Sequence, residues 1–179
     1  PSIIGGYHGN QLGVSIVGGT ISGGGYEGFE NQVEDDYGTI GGGAGNLVTG
    51  GWANTVSGGW GNTANGSVNT VAGGEGNIAD GSQYAFIGGG KNNTASAEGT
   101  TISGGITNTI ATDANFATIG GGGYNQISSD LSPIPVASTI AGGYANYVAG
   151  SVNTLTWGVH GEIYPPDNAL TGGCLYNTT

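Results

Sequence analysis

The chain has almost no positive charge. Lys91 is its single basic residue against 12 Asp and Glu, and the formal net charge is −11. Binding to a nucleic-acid backbone depends on Lys and Arg that displace counterions, so nucleic acid is excluded as a partner on charge. Attraction to anionic lipid headgroups fails for the same reason. Cys174 is the one cysteine, which excludes an intrachain disulfide and a multi-cysteine zinc site. No apolar run approaches the ~20 residues that span a bilayer, so no membrane insertion by this chain is expected, and no signal peptide is evident. Methionine is missing, which reads as processing or a fragment. Charged residues of both signs make up 7% of the chain, too few for an ordinary solvated surface around a large core.

What the chain has in quantity is glycine, 42 of 179 residues. Scattered glycine at that level suggests low complexity, whereas periodic glycine suggests stacked coils. Here it is periodic. A phrase Thr-Ile/Val-x-Gly-Gly recurs, its leading residue at Thr20, Thr39, Thr55, Thr70, Phe86, Thr101, Thr118, Thr139 and Thr154. The intervals are 19, 16, 15, 16, 15, 17, 21 and 15, so the unit is 15 or 16 residues with two larger insertions. Asparagine follows seven residues after the leader, at Asn46, Asn62, Asn77, Asn93, Asn108, Asn125 and Asn146. Two positions further on stands a small or branched apolar residue: Val48, Ala64, Ala79, Ala95, Ile110, Ile127 or Val148.

Such a unit is a poor helix, since its glycines and β-branched residues sum to several kcal/mol against helix formers. Short β segments separated by Gly and Asn turns suit it, because both residues accept positive φ cheaply. Alternation turns each Ile/Val inward and its Thr neighbour outward. The expected fold is therefore all-β: a parallel β-solenoid, a β-roll or β-helix, of about nine coils over residues 1–156. At ~4.8 Å per rung it makes a rod on the order of 40 Å long. Asn is expected at a turn, and Gly-Gly at a corner where backbones pack closely. With two inward side chains per coil, a lone rod buries too little to offset the ordering of its glycines. A homotrimer of parallel rods is expected to supply the rest.

Three stretches leave the pattern. The first, 25–38, carries Glu27, Glu30, Glu34, Asp35 and Asp36. Clustered carboxylates suit calcium, which makes Glu34, Asp35 and Asp36 weak metal candidates, although the spacing matches no EF-hand loop and the bland reading is a solvated acidic loop. The second, 128–138, contains Pro133 and Pro135, which cannot donate to a ladder, and reads as a protruding loop. The third, 157–179, brings Trp157, Tyr164, Tyr176, Pro165 and Pro166 and reads as a C-terminal cap over exposed strand edges. Residues 2–10 look like a degenerate first coil.

The phrases "ATIGGGGYNQIS", "NTVSGGWGNTANG" and "STIAGGYANYVAG" resemble the head repeats of trimeric autotransporter adhesins, and the β-roll segments of phage tail fibres and virion knobs. The resemblance covers about residues 15–157. It implies a trimeric β-roll displayed on a virion or outside a cell, as part of a larger viral or cell-surface assembly. The adhesin heads use a somewhat shorter unit without the regular Gly-Gly, and no heptad stalk or membrane anchor accompanies the repeats here. That favours a separately assembled virion or surface component.

No catalytic chemistry emerges. Glu75, Asp80, Glu98 and Asp113 occupy different repeat positions and form no matched pair of the kind polysaccharide-cleaving tailspikes use; His8 and His160 lie at opposite ends of the chain. No cofactor is expected. A Thr column could order water, as in an ice-binding protein, but its outward neighbours vary and the insertions are expected to interrupt its plane. The leading expectation is a non-enzymatic structural or surface-display rod or knob, extracellular or on a virion. The alternative is a receptor- or glycan-binding adhesin tip, with Trp52, Trp60, Tyr124 and Tyr144 stacking on sugars. The plainer role for those rings is covering a trimer seam or the corner glycines.

Overall fold

The structure, a computed structural model, describes residues 1–81, 83–128, 137–149, 153–155, 157–163 and 169–170. Every strand in the two long sheets is short, most of them two residues, and every pairing between coils is parallel. The first sheet has eleven strands and runs from Ile3–Ile4 through each Thr-Ile/Val pair to Ala169–Leu170. The second has ten, from Gln11–Leu12 through the residues after each asparagine to Glu162–Ile163. The chain is thus a parallel β-solenoid, with one strand of each sheet per coil.

The register matches the sequence alignment. Thr55 pairs with Thr70 and Val56 with Val71; Thr101 pairs with Thr118 and Ile102 with Ile119. From Ile21 to Leu155 the inward column of the first sheet is fully buried, and it faces a second column running from Val33 to Ile163. The core closes within one chain.

It closes because more than two side chains per coil turn inward. The asparagines from Asn10 to Asn146 sit at the turn, as expected, but their amides point into the coil and are buried. The position before each leader is also buried: Asn54, Asn69, Ala85, Thr100, Ala117, Ser138 and Asn153. Both sets lie at corners, where the tight change of direction tucks a side chain under the sheets. Of the two missed columns, the second had a visible signal: Asn precedes Thr at 54, 69 and 153.

Two other boundaries shift. Between 25 and 38 the departure is confined to the stretch before Asn31, because Asn31 and Val33 already occupy ordinary ladder and core positions. The extra residues form a tight hairpin, Tyr26 bridging Phe29, with Gly28 at φ +81°. At the other end the pairing passes Trp157: Gly158–Val159 pairs with Gly143–Tyr144, and Glu162–Ile163 with Tyr147–Val148. Residues 2–10 open a regular first coil, since Ile3 and Ile4 pair with Thr20 and Ile21 and the coil continues through Gln11–Leu12. Most of the loop expected at 128–138, and of the cap expected at 157–179, lies outside the described residues.

Candidate functional site

The corner after the first sheet explains why Gly-Gly and Asn recur together. In Asn93 the Nδ2 group donates to Gly89 of its own coil at 3.0 Å and to Gly105 of the next at 2.9 Å. Its Oδ1 accepts the backbone N–H and the Nδ2 of Asn108 at 3.0 and 3.1 Å. The same wiring links Asn77 to Asn93 and Asn125 to Asn146. Each asparagine therefore satisfies polar groups that would otherwise be buried without partners. The second glycine of each pair cannot carry a side chain. A Cβ on Gly105 would lie 2.1 Å from the Gly122 carbonyl oxygen, at φ +97°.

This wiring faces inward and leaves three outer surfaces for function. The first sheet presents the leaders and, one row on, Ser22, Gly41, Ser57, Ala72, Gly88, Ser103, Gly120 and Ala141. Neither row contains a charged residue. The threonine register runs without a slip past both insertions, Thr20 to Thr39 and Thr118 to Thr139, so the plane expected to be interrupted is continuous. Phe86, 40% exposed, and at the first rung Ile3 are its large side chains among the described residues. The second sheet differs, carrying Glu34, Asp80 and Glu162 on its outer side.

A third, narrow surface follows the Gly-Gly corner, where parallel bridges join Ala44, Trp60, Glu75, Lys91, Ile106, Gly123 and Tyr144. Its aromatic residues fall into two clusters. Trp60 packs on Phe29 with ring centroids 4.7 Å apart and on Tyr26 at 5.6 Å. Ala44, on the coil between, is small enough to let them meet. Tyr124 and Tyr144 meet edge to face at 5.3 Å, with His160 a further 6.0 Å from Tyr144. Five rungs, about 24 Å, separate Trp60 from Tyr144 along the ladder. Between them Lys91 and Glu75 form an exposed ion pair at 2.9 Å.

Of the four binding candidates, then, Tyr124 and Tyr144 are brought together, Trp60 joins two rings from the hairpin, and Trp52 stands apart. Trp52 lies at the opposite corner, bridged to Asp36. Tyr26 and Phe29 were not read as ring partners from sequence; a Tyr-x-Gly-Phe turn inside the insertion was the available signal. At the return corner other rings cover glycines: a Cβ on Gly99 would meet the Phe116 ring at 2.7 Å, and one on Gly18 the Tyr37 ring at 2.8 Å.

The calcium candidates do not converge. Asp35 is buried and accepts from Asn54 Nδ2 and from the Gly51 N–H at 3.0 Å. Glu34 accepts from the Thr49 hydroxyl at 2.9 Å, and Asp36 from the Val17 N–H at 2.7 Å. Among the described residues no group of three or more His, Cys, Asp or Glu could hold a metal ion, and no helix is long and apolar enough to cross a membrane. Comparison of the chain with protein-family models and with curated proteins finds no match to either.

Proposed function

We propose that this chain is a non-enzymatic structural module, a homotrimeric β-helical rod or knob displayed on a virion or cell exterior. The observation that carries the reading is the partition of charge. On a chain of net charge −11, the outer face of the first sheet carries no charged residue and, Ile3 and Phe86 apart, is built of short side chains. Ladders of identical short residues can interdigitate face to face, and a face without carboxylates can be buried without stranding one. Three rods turned with this face toward a common axis would leave the acidic residues outside. Association is not needed to complete a core, since each rod closes its own; it covers a face.

Light scattering on the purified chain tests this. The expected mass is about 52 kDa, three times the 17.4 kDa chain, with a closed C3 arrangement. Thr101→Glu alters the outer face and leaves Ile102 in the core, so it should yield a folded single chain. A 17.4 kDa particle at micromolar concentration for the unaltered protein would overturn the reading.

A second reading has its own observation. The Tyr26–Phe29–Trp60 and Tyr124–Tyr144 clusters are exposed and held on a rigid ladder, with the Lys91–Glu75 ion pair between them and Glu27 beside the hairpin rings. They suit stacking on an uncharged glycan. Retention on a glycan array, lost in Trp60→Ala and Tyr144→Ala, would favour an adhesin tip.

A further inference from the structure

The chain has 17 asparagines, and 12 of them are buried. A ladder asparagine is always followed two residues later by an inward apolar side chain, as Asn93 is by Ala95. It can never head the triplet Asn-x-Ser/Thr that marks an N-glycosylation acceptor. One residue earlier, the alternation reverses: position and position plus two both face solvent. Asn92 occupies that place. It heads Asn92-Asn93-Thr94, with Asn93 locked in the ladder and Thr94 on the outer side of the second sheet.

Asn92 sits at a corner with φ 54°, exposed, and its amide makes no hydrogen bond within the described chain. Nothing in the wiring requires asparagine there. The same corner holds Gly76 one coil before and Thr107 one coil after, each donating its backbone N–H to the preceding coil as Asn92 does to Glu75 at 2.9 Å. The other triplet among the described residues, Asn65-Gly66-Ser67, is less accessible: Asn65 is half-buried and its amide donates to Asp80.

We propose that Asn92 is an N-glycan acceptor. The inference rests on the extracellular reading, since the donor, a lipid-diphosphate-linked oligosaccharide, is used by transferases of exported proteins. In the transfer the Asn92 amide nitrogen bonds to the anomeric carbon. That carbon's bond to the phosphate oxygen breaks, the lipid diphosphate leaves with the electron pair, and an amide proton is lost to base. The glycan would stand at the corner between the Gly-Gly ladder and the second sheet. It would leave the uncharged face of the first sheet free for the trimer.

The full chain, fused to a secretion signal and made in a glycosylating eukaryotic cell, gives the test, with the entire translocated pool analysed by glycopeptide mass spectrometry. Asn92 should be occupied and Asn65 several-fold less so. Asn92→Gly, which places there the residue found at position 76, should remove one glycan and keep the fold. Thr94→Ala should remove the same glycan with Asn92 intact, and Thr94→Ser should retain it. Thr107→Asn rebuilds the triplet as Asn-Asn108-Thr109 one rung on and should add a glycan. An unmodified Asn92 in folded protein, or a glycan indifferent to Thr94, overturns the proposal. The extracellular reading fails separately, if fractionation of the native source finds the chain inside the cell.

Discussion

The two corners of the coil are held in different ways, and the period of the repeat follows from the difference. From leader to asparagine the spacing is seven residues in every coil from Thr39 to Asn146, as it is from Ile3 to Asn10. From asparagine back to the next leader it is 8, 9, 8, 9, 8, 10, 14 and 8, starting at Asn31. At the Gly-Gly corner one amide must reach carbonyls in two coils and a neighbouring asparagine, and the glycine backbones nearly touch. A residue gained or lost there breaks several hydrogen bonds together. The one exception, between Thr20 and Asn31, closes on itself as the Tyr26–Phe29 hairpin and returns Asn31 to the ladder. At the return corner Asn54 and Asn69 give way to Ala85, Thr100 and Ala117, and length varies freely. One corner sets the register; the other absorbs variation.

The largest contrast is expected from glycine. Gly105→Ala combines φ +97° with a Cβ 2.1 Å from backbone oxygen, and should cost more than ~4 kcal/mol, enough to prevent folding. Gly99→Ala, at the return corner with φ +64°, meets only the movable Phe116 ring in a column that already holds Ala53 and Val68. It should cost about 1 kcal/mol. Denaturant unfolding of the two variants side by side decides this, and equal losses would erase the distinction between the corners.

Asparagine comes next. Asn93→Ala strands the Asn108 N–H and removes a partner from two glycine carbonyls, at ~1–3 kcal/mol for each buried group left unmade, so roughly 3–4 kcal/mol is expected. Asn69 donates to Gly81 and accepts from Ala85 at 2.8 Å, but the chain itself accepts alanine one coil later. Asn69→Ala should cost about half as much, and hydrogen exchange should show the Asn108 amide losing protection in the first variant only.

Insertion is milder. Two residues, Gly-Ser, placed between Thr112 and Asp113 lengthen a return segment that already varies, and loop entropy alone predicts under ~1 kcal/mol. A cooperative unfolding midpoint close to that of the parent would bear this out. Collapse of the fold would show that the return corner carries register as well.

These contrasts mark how far the sequence could be read. The Ile/Val column was legible because period and alternation are properties of one strand, and Ile102 falls where both place it. The inward turn of Asn93 was not, since an asparagine beside glycines has the propensities of an exposed turn and becomes a good core residue only when a second coil supplies its partners. The count of inward side chains per coil was underestimated for that reason. The aromatic clusters were half legible: Trp60 stood out by type, whereas its contact with Phe29 depends on Ala44 being small one coil away.

The smallest expected effect concerns what the corners share. Each has a residue in the left-handed region whose N–H reaches back to the preceding coil: Asn92 to Glu75 at one, Val68 to Trp52 at the other, both at 2.9 Å. At the Gly-Gly corner this place is often glycine, with Thr107 its one β-branched residue among the described ones, and the return corner likewise puts a β-branched side chain at φ 58° in Val68. Left-handed backbone costs an L-residue about 1–2 kcal/mol, least for Gly and Asn, and a β-branched residue there is an outlier. Val68→Asn keeps the N–H and relieves that cost while giving up a half-buried apolar side chain. In protein made without glycosylation it should stabilise by about 0.5–1 kcal/mol, a Tm rise of roughly 1–4 °C for a chain of this size. A lower Tm would mean that Val68 is kept for its packing. The return corner would then be tied by its side chain, as the other is by its asparagine, and the two would differ less than their lengths suggest.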